Sequence, residues 1–556
     1  AGNDGEGRPD AFARVLAGAG SGNVIIVGSV DSSGTISDFS NRAGSASQYY
    51  LTALGSRVAV YIGGQGYQIS GTSFSAPQVS GAVALLAQAF PTLSATDIVE
   101  LLLVTAQDVG VAGIDDIYGY GVLDISRAFA PRGTTRLAGT DSAMPLGDTS
   151  ATGSPAMGDA LSTASLSTVV LDRYRRAYTV DLGNTMRGAA ISDRLRGAVG
   201  SQGRFLSANA GNASLAFTVD GSGQGAGLDA ASQLRLSPVD AEAARVLAAR
   251  IALRLSPKVQ LGLTFAESPD GLVAQLQGQD RPLFLVAPLA AGDDGVFRRT
   301  DMSFALRRTL GPSWGLTVSG ESGQAISGAP VEQYNDRIAR PRRDLVRSFG
   351  LALDREFGPL QAVLGLNWMS EERTVLGGRF HDAFGGGGAE TLFLDSAASW
   401  QFADGWRLVG SMRNGWTFPD GGGAIARGSR IYSRAWSLDL ERRGLFGAHD
   451  ALGLRIAQPL RVEAGGLDLS LPVAYSYDTE SASFGIRALS LSPHGRELMG
   501  ELGWHGPLWA GQASASLFYR AIRGTTPRCP TTRAWRSAGS AASEAICVGE
   551  SPGLKE

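Results

Sequence analysis

The sequence predicts a multidomain chain: an α/β region over residues 1–130, then a large antiparallel, barrel-like β region from about residue 165. Three observations carry this. Residues 73–90 place apolar side chains at helical spacing, next to short apolar runs bounded by Gly and Asp. Beyond residue 165, segments of eight to twelve residues alternate apolar with polar and close on Gly, Asp or Asn. At 556 residues the chain exceeds one ordinary domain.

In order along the chain, "NVIIVGSV" (23–30) and "RVAVYIGG" (57–64) read as short buried strands. Val79, Val83, Leu86 and Phe90 line one face of a helix that Pro91 stops. "LSATDIVELLLVTAQ" (93–107) opens on Ser94 and Asp97, a capping pair with Asp in place of Glu. Residues 131–164 lose all periodicity and read as a linker or a loosely packed segment. Residues 165–520 hold "KVQLGLTFA", "WGLTVSGES", "SFGLALDREFG", "PLQAVLGLNWM" and similar runs, the texture of an antiparallel meander. In the tail (521–556) alternation stops and both cysteines, Cys529 and Cys547, occur. It reads as irregular: a natural disordered extension, or a product of a shifted frame that has replaced a closing strand.

A net charge of −3 and a pI near 6.0 leave no electrostatic footprint for nucleic acid. No run approaches the ~18 apolar residues of a spanning helix, which leaves a membrane β-barrel open.

The stretch "GTSFSAPQVSGAVALL" (71–86) puts Ser73 at a helix N-terminus, where free N–H groups and the dipole favour developing negative charge. Pro77 is expected in the first turn, where a missing N–H costs least. A bare Gly-Thr-Ser is most simply a helix cap. The longer string resembles the nucleophile motif of subtilisin-like serine peptidases (subtilases), with Gln78 where the family often has His. "AGNDG" (1–5), "VIIVGSVDSSGTISDFSNRAG" and "YGYGVLDISRAF" are similar to further subtilase segments in the same order. The resemblance implies a partial subtilisin-like α/β domain over residues 1–130. It makes Ser73 the acyl-forming nucleophile, with the Asn3 amide and the Ser73 N–H as oxyanion donors. It also implies a serine endopeptidase acting on polypeptide substrates, with no cofactor.

In this family the triad Asp and His precede the Ala-Gly-Asn segment. The only histidines here are His381, His449, His494 and His505, all in the β-rich region and each most simply a loop or surface side chain. The expectation is a chain that starts inside a subtilase domain and is inactive alone. Asp115 and Asp116 pair in a loop, but no Asp-rich spacing points to calcium, and no metal site is expected.

Residues 165–520 loosely resemble the C-terminal translocator of autotransporter-type peptidases. That implies contact with the outer membrane of a Gram-negative cell, or a surface or extracellular location. Trp368, Trp400, Trp406, Trp416, Tyr475 and Tyr477 stand near strand ends, as an aromatic girdle requires. A soluble β-domain with core aromatics is the alternative. A non-catalytic subtilase remnant on a translocator or structural module is another.

Overall fold

The structure is a computed structural model that describes residues 1–189, 203–220, 246–278, 284, 287–296, 298–327, 342–447, 450–508, 511–523, 532–538 and 546–548. The chain divides into two compact units. Unit 1 holds Ala1–Leu146, Thr168–Val180 and Pro472–Phe484; unit 2 holds the remainder.

Unit 1 is built on two parallel strands, β1 (Ile26–Val30) and β2 (Tyr50–Leu54), paired from Ile26↔Tyr50 to Val30↔Leu54. Val122 extends the parallel edge by a bridge to Thr52. Every residue of β1 is buried, as a run of apolar and small residues without alternation requires. Helices α1 (Ala11–Ala19), α2 (Thr72–Ala89), α3 (Ala95–Val104) and α4 (Ile125–Phe129) accompany the sheet. Val79, Leu86 and Phe90 of the α2 face meet Leu51 and Ala53 of β2 and Leu101 of α3 in one core. The Ser94–Asp97 capping box forms in full, each side chain bonding the other's backbone N–H.

Two local expectations change. The 57–64 segment does contain a strand, β3 (Val58–Ile62), but it pairs antiparallel with β4 (Gln65–Ile69) and is largely exposed. Gly63 and Gly64 both take positive φ, the geometry of a tight hairpin turn, so the run folds back on itself instead of joining the sheet. Pro77 lies inside α2, past its first turn. Its missing N–H therefore removes the helical partner of the Ser73 carbonyl.

The C-terminal end of α4 is closed by a buried guanidinium. Arg176 donates to the carbonyls of Ala128 (2.5 Å) and Ala130 (2.8 Å) and pairs with Asp172 at 2.7 Å. Both side chains of the pair are fully buried. Tyr477, at the tip of the 472–484 hairpin, belongs to unit 1, where its hydroxyl accepts the Ala177 N–H at 2.9 Å. It packs against the α2–α3 core, not on a girdle.

Unit 2 is dominated by one 17-stranded sheet running in chain order from Gly203–Ala210 to Ile546–Val548. Its registers are antiparallel throughout, for example Leu353↔Leu364 and Leu366↔Leu394. Among the described residues no pairing joins the first strand to the last. The 131–164 segment, read as a linker or a loosely packed segment, carries Arg136–Leu137 and Ala151–Thr152 as short strands, and Met144, Ala156 and Leu161 are buried. In the tail, the backbone of Thr532–Ala538 and Ile546–Val548 adds to the sheet; Cys529 lies outside the described residues.

Between Val259–Phe265 and Arg298–Thr309 the chain leaves the sheet to form the helix Pro269–Leu276. Its Leu272 and Leu276 pack on Ala252 and Ala305 of the neighbouring strands.

Candidate functional site

The serine turn is held from beneath and from the side. Gly71 donates its N–H to Gly55 O at 2.8 Å, and the buried Ser75 donates to Ala53 O at 3.0 Å. Both contacts fasten the start of α2 to the end of β2. Ser73 itself is exposed at that helix terminus.

Asn3 stands beside it. Its Oδ1 accepts the Thr72 N–H at 2.9 Å and the Thr72 hydroxyl at 3.0 Å. An amide whose oxygen is fixed by two donors has its NH2 group turned the other way. A Cβ placed on Gly71 would lie 3.9 Å from both Asn3 Nδ2 and the Ser73 nitrogen, so the two donors border the same small space. The Thr72 N–H is taken by Asn3 and the Phe74 N–H by Gly71 O at 3.0 Å. Between them, the Ser73 N–H has no acceptor among the described residues.

The loop that carries Asn3 is anchored by a residue that the sequence did not single out. The buried Asn41 accepts the N–H groups of Asp4 and Glu6 with its Oδ1, both at 3.0 Å. Its own carbonyl accepts the Tyr50 hydroxyl at 2.5 Å, and burial pushes that phenol up to about 12. Thr72 was likewise missed as the Asn3 anchor. Its place between Gly71 and Ser73 in the motif was the available signal. Gln78, at the variant position, donates to Leu54 O at 2.6 Å and Phe74 O at 3.0 Å, a purely structural use.

Two N–H donors, Asn3 Nδ2 and the Ser73 N–H, thus stand beside Ser73. Unit 1 contains no histidine; His381, His494 and His505 all lie in unit 2. His381 Nδ1 accepts the Ala383 N–H at 3.1 Å, and His494 Nδ1 lies 3.3 Å from the Thr163 hydroxyl. His449 falls outside the described residues. The Asp115 carboxylate is occupied by backbone N–H groups, from Ile117 and Tyr118 at 2.7 Å each and from Val111 at 3.1 Å. It is a loop anchor. Among the described residues no three His, Cys, Asp or Glu groups come together as a metal site.

The profile of the Subtilase family matches residues 1–121. The chain is 51% identical over 61 residues to the Neisserial autotransporter lipoprotein NalP of Neisseria meningitidis, covering 11% of this chain and 6% of that protein. It is 48% identical over 59 residues to an extracellular serine protease of Serratia marcescens, again 11% of this chain and 6% of the relative. Each match therefore spans a small part of its relative's length. Among solved structures, the self-cleaved protease domain of PatA is 30% identical, with 23% of this chain and 46% of that chain covered and a TM-score of 0.20. Residues 1–121 are a segment of the Subtilase family, continued in the same chain by a large antiparallel β-sheet region.

Proposed function

We propose that this chain is part of a subtilisin-type serine endopeptidase and supplies its nucleophile and oxyanion half. The observation that carries the reading is the Asn3–Thr72 clamp, which leaves Asn3 Nδ2 and the Ser73 N–H unopposed beside an exposed Ser73. In the reaction Ser73 Oγ attacks the peptide carbonyl and gives its proton to an imidazole, and the two donors hold the oxygen that becomes negative. With no histidine in unit 1, the imidazole and its carboxylate partner come from a complementing segment, and the chain by itself is inactive. Peptide hydrolysis by the chain supplied with an Asp- and His-bearing subtilase segment tests this: Ser73→Ala abolishes it. Hydrolysis that survives Ser73→Ala overturns the reading.

The second reading, a membrane β-barrel as carrier, is favoured by a specific observation: the two faces of the sheet are inverted. Asp354, Arg413, Asp439, Arg455 and Glu501 are buried. On the opposite face Phe349, Leu364, Leu366, Trp368, Leu438 and Leu517 are each 47–55% exposed. A sheet in water buries the apolar face; a sheet in lipid does the reverse. Trp400 stands opposite Leu360, eight residues from Trp368 along the strand. That is roughly 27 Å, or about 21 Å at a ~40° tilt, close to the ~25 Å apolar band between aromatic girdles. An outer-membrane location at the cell surface follows from this reading. Heat-modifiable gel mobility and fractionation with outer membranes test it, and recovery as a monodisperse monomer in plain buffer contradicts it.

A further inference from the structure

The buried charges of the sheet are hidden by something. A water-filled lumen would leave such side chains wet, yet Glu501 is 0% and Arg455 6% exposed. What meets them is the insertion between the strands Val259–Phe265 and Arg298–Thr309.

Its first described part, the helix Pro269–Leu276, sits on the near strands. Leu272 fills the space over Gly262, where any Cβ would collide with it. Arg250 donates to Gly271 O at 3.2 Å and to Gln275 at 3.0 Å. Gln277 reaches Thr317 at 3.4 Å.

The second part crosses to the far strands. Glu501 accepts the Ala287 N–H at 2.6 Å, and Arg455 donates to Ala287 O at 3.0 Å. Arg455 also lies 4.3 Å over the Phe284 ring and is itself held by Asp439. Asp293 accepts the Leu460 N–H at 2.9 Å, and Asp294 pairs with Arg298 at 2.7 Å. Arg298–Thr309 and Arg496–Leu508 are eight pairings apart in the sheet. In a flat sheet that is roughly 40 Å at ~4.8 Å per strand. One insertion touches both, so the sheet curls around it. A cavity of about 10 Å³ lies between Asp294, Arg298, Asn367, Phe393 and Arg413, room for about one water.

We propose that Pro269–Leu276 and Ala287–Val296 form a resident plug that fills the polar inner face of the curled sheet and closes it to ions. The proposal rests on the membrane reading above. Burial of Arg455 and Glu501 against the plug backbone gives the contact its specificity: each satisfies one peptide group that would otherwise be unpaired inside the sheet. These are strand side chains, so changing them weakens the plug without shortening the sheet.

The test is ion current through the full chain refolded into planar phosphatidylcholine bilayers, with insertion verified by heat-modifiable mobility. Wild-type protein is expected to be nearly silent. A variant in which residues 269–296 are replaced by a short Gly-Ser turn is expected to raise the mean current per inserted molecule at least tenfold. The double variant Arg455→Ala, Glu501→Ala retains the whole insertion and is expected to open several-fold more often than wild type. Inserted variants that conduct no more than wild type, or wild-type protein that conducts as they do, overturn the plug while leaving the membrane reading intact. Failure of wild-type protein to insert at all overturns the membrane reading and the plug together.

Discussion

The Asn3 carboxamide is clamped to Thr72 through its oxygen, by the backbone N–H at 2.9 Å and the hydroxyl at 3.0 Å, one residue before Ser73. The clamp fixes which way the amide faces before any substrate arrives. In the complemented enzyme, Asn3→Ala is expected to lower kcat ~10²–10³-fold with little change in KM, a magnitude known from subtilisin itself. Thr72→Val removes one of the two bonds and is expected to cost about tenfold in kcat, roughly 1.4 kcal/mol. Steady-state kinetics on both variants check this; an unchanged kcat in Asn3→Ala contradicts the oxyanion assignment.

Arg176 ties α4 to the core from a position with no access to water. Arg176→Ala leaves the Asp172 carboxylate buried without its partner, and the Ala128 and Ala130 carbonyls without a donor. The expected loss is about 3–5 kcal/mol. Denaturant melts of the full chain, with amide hydrogen exchange of the α4 region as the readout, measure it. A loss under about 1 kcal/mol would mean that the pair is solvated.

Tyr50 gives unit 1 an alkaline limit. Its phenol is neutral in both states below about pH 10, and burial raises its folded pKa to about 12. Between these values the unfolded chain ionises and the folded one does not, so stability falls by ~1.4 kcal/mol per pH unit, about 3 kcal/mol in all. Tyr50→Phe loses the hydrogen bond to Asn41 O but is expected to make this window less steep, while the Tyr178 phenol, also raised by burial, still contributes. Melting from pH 9 to 12 separates the two, and equal slopes would contradict it.

The inverted sheet makes a sign-sensitive prediction at Leu364, an exposed residue opposite Leu353. In a bilayer Leu364→Arg is expected to cost ~2–4 kcal/mol. On a sheet face in water the same change costs within about 0.5 kcal/mol. Unfolding titrations in phosphatidylcholine vesicles measure it, and a neutral substitution there speaks for a soluble sheet.

Parts of this were legible in the residues because the signal is local. The Ser94–Asp97 box, the Val79–Phe90 face and the serine motif each specify their own geometry within a few residues. Alternation marked the meander but cannot say which face is buried, because a period of two reads the same in lipid and in water. Asn41 was invisible because its role depends on bringing Asp4 and Glu6 across more than thirty residues. The helix Pro269–Leu276 was hidden inside a region read only for strands, although Ser268 and Pro269 are an ordinary helix start. The 57–64 run misled because its apolar residues are exposed on a hairpin, and Gly63-Gly64 was the sign passed over.

The most direct test of the central claim is covalent labelling by a fluorophosphonate probe, with the modified residue located by mass spectrometry. The chain alone is expected to label no faster than its Ser73→Ala variant. Mixed with an Asp- and His-bearing subtilase segment, it is expected to label at Ser73 alone, at a rate typical of active serine peptidases. Rapid labelling of the isolated chain, or labelling of the complemented enzyme at any other residue, would contradict the assignment of Ser73 as the nucleophile of an incomplete site.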